Sequence, residues 1–205
     1  MVDKFLKAKH WQLFFLLIGV PFGSFLTIIA IIVSILKEGT QPDPEQILNV
    51  FKFFPLVIVL FASLLFSWFW SVAIGLQKAV PTNVEMKTTK FKIFSIIPLL
   101  SVSGFGVFMF ILYSTIKPNE IEFPSEWIAP IMLVLCIVSA FGVFYSIYFA
   151  AKTLKTTELQ REVTFSDFAS EFFMFWFFPV GIWILQPRIN TIREENITID
   201  ENMNF

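Results

Sequence analysis

The chain has 205 residues but only one cysteine and one histidine. Because Cys136 has no second cysteine to pair with, an intrachain disulfide and a zinc site built on thiolates are both excluded. His10 alone cannot form a histidine-pair metal site, and the sequence has neither a phosphate-binding glycine loop nor a nucleophile elbow. We therefore predict no catalytic residue, no metal and no cofactor, and we predict that the protein is not an enzyme.

Charged residues are also scarce, at 15% of the chain against about 25% in a typical soluble domain. They are missing altogether from four stretches: 11–36, 53–77, 93–116 and 127–151. A helix needs ~20 largely apolar residues to cross the hydrocarbon core of a bilayer, and each stretch is longer than that. The expected fold class is an all-α integral membrane protein with four transmembrane helices. Without Asp, Glu, Lys or Arg, these spans offer no proton or ion relay.

The basic residues indicate how the chain crosses the membrane. Twelve of the fifteen lie in three alternate segments: the N-terminal tail, the loop after the second stretch and the region after the fourth. Lys and Arg concentrate in cytoplasmic loops, so we predict a multipass protein of the cytoplasmic (inner) membrane with both termini in the cytoplasm. We expect a four-span bundle over 1–157, a cytoplasmic amphipathic and interfacial segment over 158–190, and a polar tail over 191–205.

A fifth hydrophobic stretch, 172–187, has only 16 uncharged residues and carries Pro179 in its middle. Thr164 and Asp167 before it have the spacing of a helix capping box. An apolar stripe at helical spacing leads into it: Phe165, Phe168, Phe172 and Phe175. We interpret the stretch as an interfacial or re-entrant helix. The alternative is a fifth span, which would place the C-terminal tail outside.

Small residues recur at every fourth position in three of the four spans. Such stripes allow a second helix backbone to approach closely, and we predict that they are helix-packing surfaces. The alternative is that their hydroxyls line a polar path, although hydroxyls also bond back to the preceding helical turn. The stripes are Gly19, Gly23 and Thr27; Ser63, Ser67, Ser71 and Gly75; and Gly142, Ser146 and Ala150.

Two prolines lie in the interior of spans, beyond the first turn. Pro21 and Pro98 each remove a backbone donor and free the carbonyl four residues earlier, so both predict helix kinks, as does Pro179. With the termini inside, both bends fall in the cytoplasmic half of the membrane and suggest a cavity open to the cytoplasm or to the inner leaflet. The alternative is that neighbouring helices satisfy the freed carbonyls.

Acidic and basic residues cluster after the fourth span: Glu158, Arg161, Glu162, Asp167, Glu171 and Arg188. Carboxylates at this spacing suit a divalent cation or the basic patch of a protein partner. The alternative is that they form the solvated side of an amphipathic helix that buries Leu159, Val163 and Phe168. We treat them as a candidate partner or interface surface and predict no metal there.

Three stretches resemble a group of small multipass bacterial membrane proteins without an assigned activity. They are 9–14 (KHWQLF), 90–94 (KFKIF) and the segment 158–190, which holds GIW at 181–183 and QPRIN at 186–190. In span number and size the chain is also similar to four-helix accessory membrane proteins encoded beside RNA-guided RNA-targeting defence systems. These resemblances imply a membrane location but no functional residues.

The function expected from the sequence is that of a non-enzymatic membrane protein that acts by association. It would oligomerise or dock a cytoplasmic partner through 158–190, as a defence or stress accessory protein. The alternatives are a lipid- or small-solute-handling protein or pore with a cytoplasm-side cavity, and a membrane enzyme at the cytoplasmic face. The expected partners are membrane lipids, a second copy and a cytoplasmic protein; no nucleic acid is evident.

Overall fold

A computed structural model describes residues 2–37, 44–115 and 127–203 of the chain. Within these ranges the secondary structure is helical and contains no strand, which confirms the all-helical prediction. The helices are α1 (Val2–Lys7), α2 (His10–Phe14), α3 (Val20–Lys37), α4 (Pro44–Phe51), α5 (Phe54–Gly75), α6 (Thr88–Thr115), α7 (Ile128–Leu159), α8 (Phe165–Trp176) and α9 (Phe178–Met203). A π-helical turn over Phe15–Gly19 joins α2 to α3.

Four helical segments are long and apolar enough to cross a membrane: His10–Lys37, Gln46–Ala79, Thr88–Ser114 and Pro130–Leu159. They coincide with the four uncharged stretches. The last of them continues for two further turns past residue 151, and these turns carry Lys152 and Lys155. Helix α7 ends at Leu159, and the following Gln160 has a left-handed conformation (φ 50°). The charged end of α7 therefore projects beyond the apolar span.

The buried core lies at one end of the bundle. Helix α5 contacts α1, α3, α6 and α7, while α8 packs on α7 and on α9. The core side chains come from the start of the first span, the end of α5, the start of α6, the end of α7, and α8 and α9. They include Leu13, Leu17, Trp68, Phe69, Phe91, Leu154, Phe168, Phe175, Ile182 and Leu185. We call this end, where α1 and α9 also lie, the packed end.

The opposite half of the bundle is open. Along α7, the side chains of Leu133, Val134 and Leu135 are all exposed, as are Ile137 and Val138 in the next turn. Successive helical residues point about 100° apart, so these neighbours face nearly every direction around the helix. Among the described residues, this part of α7 is therefore not enclosed by other helices.

The three prolines for which the sequence predicts a helix kink have different surroundings. Before Pro21, the π-helical turn shifts the hydrogen-bond register, and the N–H of Val20 donates to the carbonyl of Phe15. Pro98 is buried inside α6, against Gly142 of α7. Pro179 lies in the first turn of α9, where a missing N–H is tolerated.

Candidate functional site

The two C-terminal helices form a hairpin whose entrance is fixed by a capping interaction. We call α8 together with the first half of α9, up to Asn190, the C-terminal hairpin. The carboxylate of Asp167 accepts a hydrogen bond from the backbone N–H of Thr164 at 2.8 Å and another from the Thr164 hydroxyl at 2.9 Å. This reciprocal contact begins α8 and confirms the capping box that the sequence predicts. Hydrogen bonds from the Thr164 backbone N–H and from Arg161 lower the pKa of Asp167 to about 2.

The hairpin turns at Phe177, between α8 and α9. The N–H of Phe177 donates to the carbonyl of Phe173, and its own carbonyl accepts from the N–H groups of Val180 and Gly181. Pro179 has no N–H to satisfy. Gly181 lies against the backbone carbonyl of Met174, where a Cβ atom would clash. The tight turn therefore explains both the proline and the glycine of this segment.

Four charged side chains meet at the base of the hairpin: Lys155, Glu158, Glu171 and Arg188. We call them the charged base. Arg188 donates from Nε and Nη2 to the two carboxylate oxygens of Glu158, at 2.7 and 2.6 Å. Its Nη2 also donates to Glu171 Oε1 at 2.6 Å, and the Lys155 ammonium lies 3.0 Å from that same oxygen. Two cations and two anions thus form one neutral network.

The charged base joins the two ends of the fifth hydrophobic stretch. Glu171 immediately precedes residues 172–187, and Arg188 immediately follows them. A straight 16-residue helix would separate its ends by ~24 Å, yet these two side chains are in contact. The stretch therefore doubles back on itself.

Glu171 is the buried member of the charged base. Its side chain is only 2% exposed. Burial alone would raise its pKa, but hydrogen bonds from Arg188, Ser170 and Lys155 outweigh that effect and lower the pKa to about 2. The hydrogen bond with Glu158 raises the pKa of Arg188. Glu171 and Arg188 are therefore both ionised at neutral pH.

A second network ties the hairpin to the N-terminal helix and to α5. The buried Gln186 side chain accepts a hydrogen bond from Trp68 Nε1 at 3.0 Å. Its amide nitrogen donates to the backbone oxygens of Phe5 at 2.9 Å and of Ala8 at 3.0 Å. Those two carbonyls lie at the C-terminal end of α1, where a helix leaves its last carbonyls without intrahelical partners. Gln186 thus caps α1 from a distant part of the chain.

The tip of the hairpin lies level with the middle of the spans. Trp176 stacks on Phe144 of α7 with ring centroids 4.4 Å apart, and Phe178 lies 5.7 Å from Phe61 of α5. Phe144 is eight residues, ~12 Å, from Lys152, and Phe61 is 14 residues, ~21 Å, from the end of α5. Exposed aromatic and aliphatic side chains cover the tip: Phe173, Trp176, Phe177 and Val180.

The predicted packing stripe of the first span has no helix against its centre. Gly23 has open space where a side chain would lie, and Thr27 is exposed, with its hydroxyl donating to the Gly23 carbonyl. A Cβ on Gly19 would meet only Phe15 of the preceding turn. This stripe therefore faces away from the other described helices.

The stripes of α5 and α7 lie closer to neighbours. Gly75 adjoins Leu6 and Val2 of α1, and a Cβ on Gly142 would fall 2.6 Å from the carbonyl oxygen of Phe94 in α6. Ala150 is fully buried. In α5, Ser67 donates to the carbonyl of Ser63, and Ser71 to that of Ser67. Ser146 bonds back to Gly142 and also reaches Ser95 of α6 at 2.9 Å.

The structure corrects two interpretations of the charged cluster. Glu171 does not lie on a solvated face but is buried beside Phe168 and Phe175, and Leu159 is 41% exposed rather than buried. Glu171 lies three residues after Phe168 and four before Phe175, the spacing of a single helix face. Val163 and Phe168 are buried as expected.

The remaining members of the predicted interface are more accessible. Arg161 is exposed and pairs with Asp167 at 3.0 Å, and Glu162 is exposed. Among the described residues, no group of three His, Cys, Asp or Glu side chains is placed to hold a metal ion.

The sequence interpretation missed Lys155, Gln186, Asn190 and Trp68. Their partners are distant along the chain: Gln186 and Phe5, for example, are 181 residues apart. One signal was present, since the distinctive QPRIN sequence contains Gln186, Arg188 and Asn190, all of which make polar contacts between elements. No family model, curated protein or solved structure matches the chain. Its function is therefore argued from geometry.

Proposed function

We propose that the chain is a four-span protein of the cytoplasmic membrane whose packed end and both termini face the cytoplasm. The positive-inside tendency supports this orientation. The segments that carry the predicted cytoplasmic lysines, before α2, between α5 and α6 and at the end of α7, all adjoin the packed end. Lys4, Lys7 and Lys9 are exposed there, as are Lys78, Lys87, Lys90 and Lys92.

We further propose that the C-terminal hairpin is re-entrant. It would dip into the cytoplasmic leaflet and return, so that the tail stays inside. The contact between Glu171 and Arg188 supports a return, and the contacts of Trp176 and Phe178 support a depth of about half the ~30 Å hydrocarbon core. Non-helical backbone at this depth needs internal hydrogen bonds, which Phe177 makes.

The protein then acts, in this proposal, as a non-enzymatic membrane protein that self-associates through the open half of its bundle. The observation that carries the proposal is the exposure of α7 around almost its whole circumference over 131–141. Membrane helices associate through van der Waals packing and hydrogen bonds. A second copy would supply packing that the described part of the single chain lacks. It would cover this part of α7 and the open stripe of Gly23 and Thr27.

Self-association is favoured over docking of a cytoplasmic partner through the charged cluster. Glu158, Glu171 and Arg188 already satisfy one another within the chain. A partner would have to replace bonds of 2.6–2.7 Å, and Glu171 is not accessible. A role as a defence or stress accessory protein stays a prediction.

The solute-handling or pore alternative is less well supported. The sequence suggests a cavity between helices bent at Pro21 and Pro98. However, Pro98 is buried and α7 fills the space beside it at Gly142, while Leu13 and Leu17 are buried just before Pro21. The close packing of Pro98 against Gly142 therefore leaves no passage between α6 and α7 at that point.

The native Cys136 tests self-association directly, because it is exposed on the open part of α7. We expect a short bis-maleimide to cross-link two copies through Cys136 in intact membranes. Cys136→Ser must abolish the product. A matched variant that carries Cys136→Ser with Val107→Cys, an exposed site on α6, should cross-link much less. Only monomer in the native chain, or equal cross-linking at residue 107, would contradict an interface at α7.

A further inference from the structure

A groove lies beside the N-terminal helix. It has a volume of about 460 Å³ and runs between α1, the start of the first span and α5. Phe5 and Leu13 form a buried floor, and Leu16 and Leu64 are half-buried along its walls. Lys4 is the one charged side chain in its lining.

The contacts of α5 place α1 and the groove residue Leu64 about one leaflet apart along the helix axis. Helix α1 packs on Gly75 at the end of α5, through Val2 and Leu6. Leu64 lies eleven residues earlier in α5, which is ~16 Å along the helix axis. Half of a ~30 Å hydrocarbon core is ~15 Å. The apolar walls therefore extend from the level of α1 to about the middle of the bilayer.

The charge at the mouth of the groove is positive. Lys4 is exposed, and Lys7 and Lys9 on the same short segment are exposed as well. No Asp or Glu contributes to the lining. The Gln186 amide nitrogen donates to the carbonyls of Phe5 and Ala8. These two hydrogen bonds tie α1, and with it Lys4, to α9.

We propose that this groove binds one anionic phospholipid of the bilayer, with an acyl chain along Leu16 and Leu64 and the phosphate at Lys4. A cation beside an apolar groove matches the two chemical parts of such a lipid, and basic residues near a membrane surface attract anionic headgroups. The site rests on the proposed membrane location but is independent of self-association.

Native mass spectrometry of the full chain tests this site. Protein extracted from membranes in mild detergent is incubated with equal amounts of phosphatidylglycerol and phosphatidylethanolamine. The wild type should retain one phosphatidylglycerol molecule in preference to phosphatidylethanolamine. Lys4→Gln should reduce this adduct about fivefold, because one lysine near the membrane surface contributes about 1 kcal/mol to the binding of an anionic lipid. Lys92→Gln, at an exposed lysine outside the groove, should leave the adduct unchanged.

A second pair of variants tests the apolar part of the site. Leu64→Phe should displace the acyl chain and reduce the adduct, while Ile58→Phe, exposed elsewhere on α5, should leave it unchanged. Equal retention of the two lipids by the wild type, or equal effects within either pair, would overturn the site. Release of the chain from membranes by alkaline carbonate without detergent would instead overturn the proposed membrane location on which the site rests.

Discussion

Gln186 joins three helices through a single side-chain amide, and its loss affects all three. Gln186→Leu leaves the buried Trp68 Nε1 donor without its partner and removes the donor to Phe5 and Ala8. An unsatisfied buried polar group costs ~1–3 kcal/mol, so we expect the free energy of unfolding to fall by about that amount. Trp68→Phe removes the other half of the bond with Gln186.

A double-mutant cycle isolates this contact from the general effect of substitution. If the bond between Trp68 and Gln186 forms, the two single changes should not add, because the second removes an interaction already lost. Strictly additive losses, measured by thermal or denaturant unfolding in detergent, would show that the two side chains do not interact.

Glu171 makes stability depend on pH in a defined direction. The pKa of Glu171 is about 2 in the folded chain against an ordinary value of 4.5, so folding favours the ionised form. Its contribution to stability is complete above about pH 4.5 and is lost as the pH falls towards 2. We expect the unfolding temperature of the wild type to drop between pH 5 and pH 3.

Glu171→Gln should lower the unfolding temperature at pH 7, because it weakens the buried ionic network and leaves Lys155 and Arg188 to share Glu158. Removing one partner of a fully buried ion pair costs ~3–5 kcal/mol, and we expect a smaller loss here because Lys155, Glu158 and Arg188 are 21–30% exposed. The variant should also lose part of the drop between pH 5 and pH 3. An unchanged pH profile in the variant would mean that other carboxylates cause the acid sensitivity.

The charged base also shows where sequence interpretation reaches its limit. The sequence correctly indicates that Asp167 caps α8, because that contact is local. It does not indicate that Arg188 pairs with Glu158 and Glu171, because residues 17 and 30 positions apart are brought together only by the turn at Phe177. Charged residues next to an apolar stripe are usually solvated, and Glu171 is an exception because three donors surround it.

Contact between α6 and α7 depends on a glycine that leaves room for a backbone. A Cβ at Gly142 would lie 2.6 Å from the Phe94 carbonyl oxygen and from Pro98 Cγ. Overpacking of this kind costs ~1–3 kcal/mol, so Gly142→Ala should lower the free energy of unfolding. Gly104→Ala in α6 is the matched control, since nothing lies within 4 Å of that site.

Gly104→Ala should be neutral or stabilising by up to ~1 kcal/mol, because alanine is the better helix former. Equal destabilisation by both substitutions, measured in the same detergent, would contradict a specific contact at Gly142. The stripe pattern that predicts such contacts is the same in the first span and in α7. The pattern alone does not show which stripe has a neighbour, because Gly23 and Gly142 differ only in what lies opposite them.

The hairpin divides the 16-residue apolar stretch between the end of α8 and the start of α9. Its length and its central proline predict an interruption, and the structure shows that Pro179 begins a helix rather than bending one. Pro187, which ends the apolar run, lies inside α9. The boundary expected near 190 is likewise not a break, since α9 continues to Met203.

The proposed topology can be mapped by cysteine labelling. In a Cys136→Ser background, single cysteines at Asp43 and at Glu122, both outside the described ranges, should react with an impermeant thiol reagent in intact cells. A cysteine at Met86, between α5 and α6, should not. A reporter fused after Phe205 should lie on the same side as Met86 if the hairpin returns. A reporter signal from the opposite side would make 172–187 a fifth span.

Over residues 2–37, 44–115 and 127–203, the molecule combines a closed end with an open half. The closed end holds the buried core, the charged base and the Gln186 network, so the single chain is complete there. In the open half, the sequence correctly predicts apolar helices, yet hydropathy alone does not separate a helix face that meets lipid from one that meets protein, because both are apolar. Whether a face of α7 meets lipid or protein depends on the molecules around it, and these lie outside the single chain.

The central claim is that a second copy covers the open part of α7, and the mass of the purified protein tests it most directly. Light scattering coupled to size-exclusion chromatography in mild detergent gives the protein mass after subtraction of the micelle. We predict a multiple of 23.7 kDa for the wild type and a shift towards the single-chain mass for Val134→Lys, at an exposed position on α7. A wild-type mass of 23.7 kDa at all concentrations would contradict the claim.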